Sequence, residues 1–285
     1  MYRPLFRYLL NLCFMYKVIT LAVLSLFSPH QDSIEWTVST FNIRYDNPDD
    51  PLVWSDRKAE VINAVMYFDI VGFQEVLPNQ LEDLKAGMPW MDYYSRGRDE
   101  DGGGEACPVF WQKDKYDLLH SETRWLSEFW RDEGVVGWDA HLPRIATIVL
   151  LYQRSTGKTI KVINSHWSHV SSEAREGSSA LISGWLLGGK ADAVLVLGDF
   201  NAEPDTPEIQ SLIEGGLVDT YNHSDIRCRR GFGTYTTFDP ASKGSMRIDY
   251  IMVKGAHGVW TCADEFIKNG YYISDHLPVH TSLMW

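Results

Sequence analysis

VLVLGDFNAEP, residues 194–204, holds the key to the chain. Four apolar residues in a row read as a buried strand, and the run ends at Gly198 in two polar residues, Asp199 and Asn201. Side chains two apart on a strand share a face, so continued extension turns Asp199 and Asn201 into one common space at the strand's C-terminal edge. A polar turn and half of an active site both fit that pattern, and the remaining sequence has to separate them.

The neighbouring segments repeat the theme. FNIR ends a strand-like alternation of Trp36 and Val38 with Asn42, and DIVGFQEV (69–76) is a short buried strand finishing in Gln74 and Glu75. RIATIVLLYQ (144–153) turns through RSTGKT into TIKVINSH (159–166), a hairpin that ends at His166. VFWQ, RIDYIMV and GVWTCADEF read as further strands, with Asp249 in the second of these. Helices are expected from a Ser55 cap to about Phe68, from Pro78, over about 172–187, and after the Thr206-Pro207 pair. Strands dominate with helices set between them, so the class is α/β or α+β. A polar strand end is ordinary when it occurs once. Here Asn42, Glu75, His166, Asp199 with Asn201, Asp249, and the tail residues Asp275 and His276 all follow it.

Composition bounds the possibilities. The chain has 285 residues, is 45% hydrophobic and 22% charged, and carries no long repeat or linker, so residues 31–285 are read as one domain. A net charge of −12 excludes broad, nonspecific adhesion to nucleic acid, though not a phosphorylated substrate met by a bound cation. Residues 1–30 place Arg3 and Arg7 before a largely apolar stretch that Lys17 interrupts. That pattern predicts a signal peptide or signal anchor, and hence a secreted or extracytosolic domain, membrane-anchored in the second case. Cys107, Cys228 and Cys262 follow this leader, and in an oxidising compartment one pair can bridge, with Cys228–Cys262 the expected one.

Glu, Asp and Asn are hard oxygen donors of the kind Mg²⁺ or Mn²⁺ prefers. Phosphoryl chemistry asks for such an ion, a positioned water and hydrogen-bond donors around phosphorus. Glu75 with Asn42 supplies the first, Asp199 the second, and Asn201 and His166 the third, while Asp249 can steer the His276 imidazole.

FNIRYDN, VGFQEV, NSHWSHVS, LGDFNAEP, RIDYIMV and SDHLPV resemble, in this order, the motifs of the endonuclease/exonuclease/phosphatase superfamily, over about residues 34–285. The resemblance implies a four-layer α/β/β/α sandwich of two packed sheets, with the site at one sheet edge. It also implies Glu75, Asn42 and Asp275 around a Mg²⁺ or Mn²⁺ ion, and His166, Asp199, Asn201, Asp249 and His276 as the catalytic set. Arg144 is a candidate phosphate contact. The FNIRYDNP opening is similar to that of a small bacterial and fungal branch. In that branch an Asp usually stands where this chain has Ser168, and Arg44 occupies a position where abasic-site endonucleases carry Asp. The implied activity is hydrolysis of a phosphodiester or phosphomonoester, with a phosphorylated small molecule, lipid headgroup or nucleic acid as substrate and no obligate protein partner. The alternative is a non-catalytic binding module that retains the fold. Trp125, Trp130 and Trp138 are expected either to line a cleft or to sit in the core.

Overall fold

Alternation along each strand assigns its two faces. In the strand Ala193–Asp199, Leu195 and Leu197 enter one apolar cluster and Val194 and Val196 another. The first cluster also takes Trp36, Val38 and Ile70 from other strands, whereas Phe41, Val71 and Phe73 point the opposite way into a third. Two sheets therefore pack face to face, and each needs a cover on its outer side.

The computed structural model describes residues 35–186, 188–228, 233–242 and 244–285; the N-terminal segment read as a targeting signal lies outside them. One sheet runs in the order β10 (Ile226–Arg227), β12 (His257–Ala263), β15 (Val279–Met284), β1 (Glu35–Asn42), β2 (Ile70–Gln74), β4 (Val109–Gln112), β3 (Met91–Tyr94). The other runs β5 (Tyr116–Trp125), β6 (Ile145–Gln153), β7 (Lys158–His166), β8 (Ala193–Asp199), β11 (Asp249–Lys254), β9 (Val218–Asp219). A small hairpin, β13 (Ile267–Lys268) with β14 (Tyr271–Tyr272), stands beside them.

Helices α1 (Trp54–Val65) and α2 (Pro78–Gly87) cover the first sheet through Val61, Val65 and Leu84. Helices α3 (Ser172–Leu186) and α4 (Pro207–Glu214) cover the second through Ile182, Ile209 and Leu212. A short α5 (Thr220–His223) completes the set. The α/β/β/α sandwich expected from the motifs is the fold observed.

One local expectation changes and another holds. Helix α1 starts at Trp54, with Val53 extended at the cap position, so Ser55 sits inside the first turn and caps nothing. Cys228 and Cys262 are bridged, as expected, and Cys107 is free and buried. In α5, exposed Asn222 donates through Nδ2 to Asp219 Oδ2 at 2.8 Å, and Ser224, just past the helix end, is buried against Thr261. Among the described residues, no helix is long and apolar enough to cross a membrane.

Candidate active site

The faces that make the inter-sheet core turn polar at one rim. On β1, Trp36 and Val38 point between the sheets, and the same parity brings Asn42 there; on β7, Ile160 and Val162 do so ahead of His166. Leu195 and Leu197 likewise precede Asp199, and on antiparallel β11 Asp249 comes first, before Ile251 and Val253. Register then lines these ends up: His166 is opposite Asp199 and Asp199 is opposite Asp249, while Asn42 is opposite Gln74, the residue before Glu75. Polar residues at the last inward position of neighbouring strands are how this sequence builds one site.

Gly198 makes the rim possible. Its φ is +139°, and a Cβ there would lie 1.9 Å from the Ser165 carbonyl oxygen, so only glycine lets β7 and β8 run this close ahead of Asp199. Behind the rim, Asn164 binds the sheets together: its Nδ2 donates to the carbonyls of Phe73 (2.8 Å) and Pro108 (2.9 Å), and its Oδ1 accepts from Gln74 Nε2 at 2.7 Å.

Asp199 is the centre of the cluster. Asn42 Nδ2 reaches across from the other sheet to Asp199 Oδ2 at 3.0 Å and to Glu75 Oε1 at 3.0 Å. His166 Nε2 and His276 Nε2 lie 3.5 and 3.7 Å from Asp199 Oδ2. Asp199 Oδ1 accepts the Asn201 backbone N–H at 2.9 Å. That last bond alters the expected geometry: the strand stops at Asp199 and Asn201 adopts a left-handed φ of +48°, so the two residues share the cleft through a tight turn and not through continued extension. Asn201 Nδ2 donates to the Trp167 carbonyl at 3.1 Å.

Glu75 also holds a left-handed φ, +61°, which aims its carboxylate back at the rim; its Oε2 accepts from Tyr45 N at 3.1 Å. Asp275 is buried, with Arg44 Nη1 3.8 Å from its Oδ2. Arg44 is otherwise committed to Asp50, through Nε and Nη2 at 3.1 Å each. Asn42 Oδ1 accepts from Arg44 N at 3.0 Å. Ser168 is buried and caps the following turn by accepting from Val170 N and Ser171 N.

Charge is unevenly distributed. Burial pushes the Asp199 carboxyl up to about 7, against the pull of the His276 charge. His276 donates or shares a proton with Asp249 Oδ2 at 2.9 Å; burial works against its charge, but Asp249 and Asp199 outweigh that and raise its pKa well above the ordinary value. His166 goes the other way, held neutral by burial and the nearby Arg144 cation. Burial raises Asp275, and the Glu75 carboxylate adds to the shift. Asp199, Asp249 and His276 each bring a ligand atom within 4.8 Å of the others, an arrangement a metal ion could share.

These groups open on a cleft of about 500 Å³, within the range of small-molecule sites. Glu75, His166, Asp199, Asn201, Asp275 and His276 line it, as does Arg144; Asn42 and Asp249 stand directly behind, fully buried. Arg144 is 5% exposed, and among the described residues it forms no ion pair; its one side-chain hydrogen bond is from Nη2 to His169 Nδ1 at 2.9 Å, and its Nε has no partner. The three tryptophans do not line the cleft. Trp125 is core, Trp130 packs edge-on against Trp185, and Trp138 covers Gly177.

Several residues that line or support the site were not anticipated. Arg57 is wholly buried on the inner face of α1 and donates to the carbonyls of Ile43, Arg44, Tyr45 and Ile273, tying the loop after β1 to the segment that carries Asp275. An arginine in the apolar stripe Trp54, Arg57, Val61, Ala64 was the signal for it. His169, in the same NSHWSHVS segment as His166, lines the cleft, as do Arg98, Glu105 and Tyr235.

Comparison with known proteins finds relatives that share the fold over most of the chain. A protein of Bacteroides thetaiotaomicron described as an endonuclease/exonuclease/phosphatase family protein is 31% identical, with 89% of this chain and 98% of its own covered at a TM-score of 0.84. A mannosyl-6-phosphatase of the same organism is 32% identical over 88% of this chain and 100% of its own, TM-score 0.82. A Bacteroides vulgatus endonuclease/exonuclease/phosphatase is 35% identical over 88% and 98%, TM-score 0.80. Among curated proteins no sequence match was found. The sequence profile of the Endonuclease/Exonuclease/phosphatase family matches residues 39–276, a span that runs from within β1 to His276, and the chain belongs to that family.

Proposed function

We propose that the protein is a metal-dependent phosphoester hydrolase acting on a small phosphomonoester, a phosphorylated sugar or polyol first among them. One observation carries the reading: a single cleft sets the carboxylates of Glu75, Asp199 and Asp275 near the buried guanidinium of Arg144, which feels the charges of Glu105, Asp199 and Glu75 but among the described residues is bonded to no carboxylate. A buried guanidinium whose N–H groups are not bonded to a carboxylate has donors to offer an anion that arrives from outside. The compact cleft, the net charge of −12 and the similarity to a mannosyl-6-phosphatase favour a small substrate over a polymer.

The donor set suits a divalent ion. Glu75 and Asp275 bring two carboxylates close enough for the Glu75 charge to raise the Asp275 pKa, a repulsion that a shared cation relieves. Asn42 Oδ1 keeps a second lone pair beyond its bond to Arg44 N. These three residues would hold Mg²⁺ or Mn²⁺, which supplies positive charge at the phosphoryl oxygens. The Asp199, Asp249 and His276 group is a poorer place for the ion, because the His276 imidazole already carries the proton that Asp249 stabilises.

Each protein group then has a task that its bonds dictate. Asn42 fixes Asp199 Oδ2 as an acceptor at the cleft wall, where it takes a proton from the attacking water. With Nδ1 held by Asp249, His276 presents Nε2–H beside Asp199 and donates to a phosphoryl oxygen as charge builds there. Arg144, His166 and the free amide hydrogen of Asn201 bind the remaining oxygens. The water oxygen bonds to phosphorus, and the ester oxygen leaves on the opposite side and is protonated from solvent. Export of the domain, which the N-terminal sequence predicts, is supported by the Cys228–Cys262 bridge.

The test is hydrolysis of mono- and bis-p-nitrophenyl phosphate and of a hexose 6-phosphate with Mg²⁺ or Mn²⁺, before and after EDTA. Turnover of the monoesters that EDTA abolishes is the expected result. No turnover of any ester with metal present would leave a binding module on the same fold.

A further inference from the structure

The wall of the cleft beyond the phosphate groups has a hydrogen-bonding character of its own. Arg144 can only donate, so the His169 Nδ1 that it meets at 2.9 Å must be an acceptor. The ring proton is therefore on Nε2, away from Arg144, in one fixed tautomer. Protonating Nδ1 would set two cations in contact; although His169 is exposed, partial desolvation and the Arg144 charge both lower its pKa and favour the neutral imidazole. His169 is thus a neutral N–H donor on the cleft wall.

Arg98 and Glu105 line the same cleft, bonded to each other at 2.8 Å through both carboxylate oxygens. The pair cancels its own charge and still leaves 13% and 18% of the two side chains open. Together these groups offer donors from His169 and Arg98 and an acceptor from Glu105, with no net charge beyond the phosphate receptor. A second phosphate or an anionic polymer would need a surplus of cations there. A hydroxyl, which donates and accepts at once, matches what is present.

We infer that His169, with the Arg98–Glu105 pair, forms a subsite that reads hydroxyl groups of a polyol leaving group, and that His169 is a specificity-determining residue. The inference rests on the phosphoester-hydrolase reading for its substrate class. Arg144 has two jobs in it: it meets the phosphate, and it fixes the tautomer of the residue that inspects the rest of the molecule. The contact is one between neutral groups, and such hydrogen bonds discriminate modestly.

The experiment compares His169→Phe, which removes the donor, with His169→Gln, which retains an N–H. The readout is the ratio of kcat/KM for a hexose 6-phosphate to that for p-nitrophenyl phosphate, whose leaving group has no further hydroxyl. His169→Phe is expected to lower that ratio about five- to tenfold, mainly through KM, with partial recovery in His169→Gln. A ratio within twofold of the parent protein, or an equal loss on both esters, overturns the proposal; the equal loss would mark His169 as a prop for Arg144. Calorimetric Kd values for the hexose 6-phosphate and for inorganic phosphate, measured without divalent ion, give the same ratio independently of turnover. Failure of the hydrolase reading alone would thus leave the His169 dependence of that Kd ratio in place, whereas its absence would sink this subsite whatever the turnover shows. Nitrogen NMR of His169 should report a protonated Nε2 and a bare Nδ1.

Discussion

His276 and His280 are both buried, on one short segment of chain, and their surroundings drive them in opposite directions. His276 is 5% exposed, bonded to Asp249 at 2.9 Å and 3.7 Å from Asp199, and its pKa is raised well above the ordinary value. His280 is 1% exposed, stacked on Phe68 at 4.2 Å with Ser39 Oγ 3.0 Å from its Nδ1, and burial drops its pKa to about 3. Desolvation penalises the imidazolium in both places. Two carboxylates reverse the outcome in one of them. What marks a working histidine here is the company of acids at a cleft, since burial alone yields a neutral packing residue.

The sharpest way to break that contrast is to remove the acids. Asp199→Ala should cut turnover by roughly 10²–10⁴ at saturating metal, the usual scale for a general acid–base group, with the fold intact by circular dichroism. Asp249→Asn should cost about 10², because it gives His276 an environment nearer that of His280 and frees its tautomer. Parental rates in both variants would place the chemistry elsewhere.

The site was more legible in the sequence than some of the strands that frame it. The polar ends of β1, β7 and β8 stand out because each follows an apolar run, and the parity that makes the core makes the site. β15 gave no such signal. Its VHTSLM is buried nearly throughout, yet its polar side chains bond across strands, Thr281 to Thr261 at 2.9 Å and His280 through Nδ1 to Ser39 at 3.0 Å, with His280 Nε2 left without a hydrogen-bond partner, so burial leaves no apolar pattern. β5 was hidden for the opposite reason: it is a sheet edge, mostly half-buried or exposed, with no apolar alternation to read. The turn at Asn201 depends on a backbone bond to the Asp199 carboxylate, which spacing cannot express. Arg57 was legible in principle, as the charged member of an apolar helix stripe.

Glu75 extends the comparison from protons to metal. Glu75→Gln keeps the shape, and its side-chain oxygen can still accept from Tyr45 N, but the charge facing Asp275 is gone. The divalent concentration needed for half-maximal turnover should rise 10–100-fold or more, the range in which even outer-shell changes act on metal affinity. A metal titration curve that matches the parental one would move the ion away from Glu75.

The smallest effect belongs to His280, and it is one of stability. An imidazole that titrates near 6.5 when unfolded and at about 3 when folded makes the unfolded chain the better proton binder between those values. Stability from this residue is therefore complete above about pH 6.5 and is lost progressively as the pH falls toward 3. At pH 5 the loss amounts to about 2 kcal/mol. His280→Leu removes the titrating group while keeping an apolar face for Phe68, although Ser39 gives up its partner. Urea midpoints measured from pH 7.5 down to 5 should fall less steeply for the variant by that amount, even if it starts lower. Equal slopes would mean that His280 accepts a proton inside the fold, with Asp264 Oδ2 at 3.9 Å the acid that receives it. The two histidines would then differ in degree, with an acid beside each, and the contrast between a packing histidine and a working one would rest on the cleft alone.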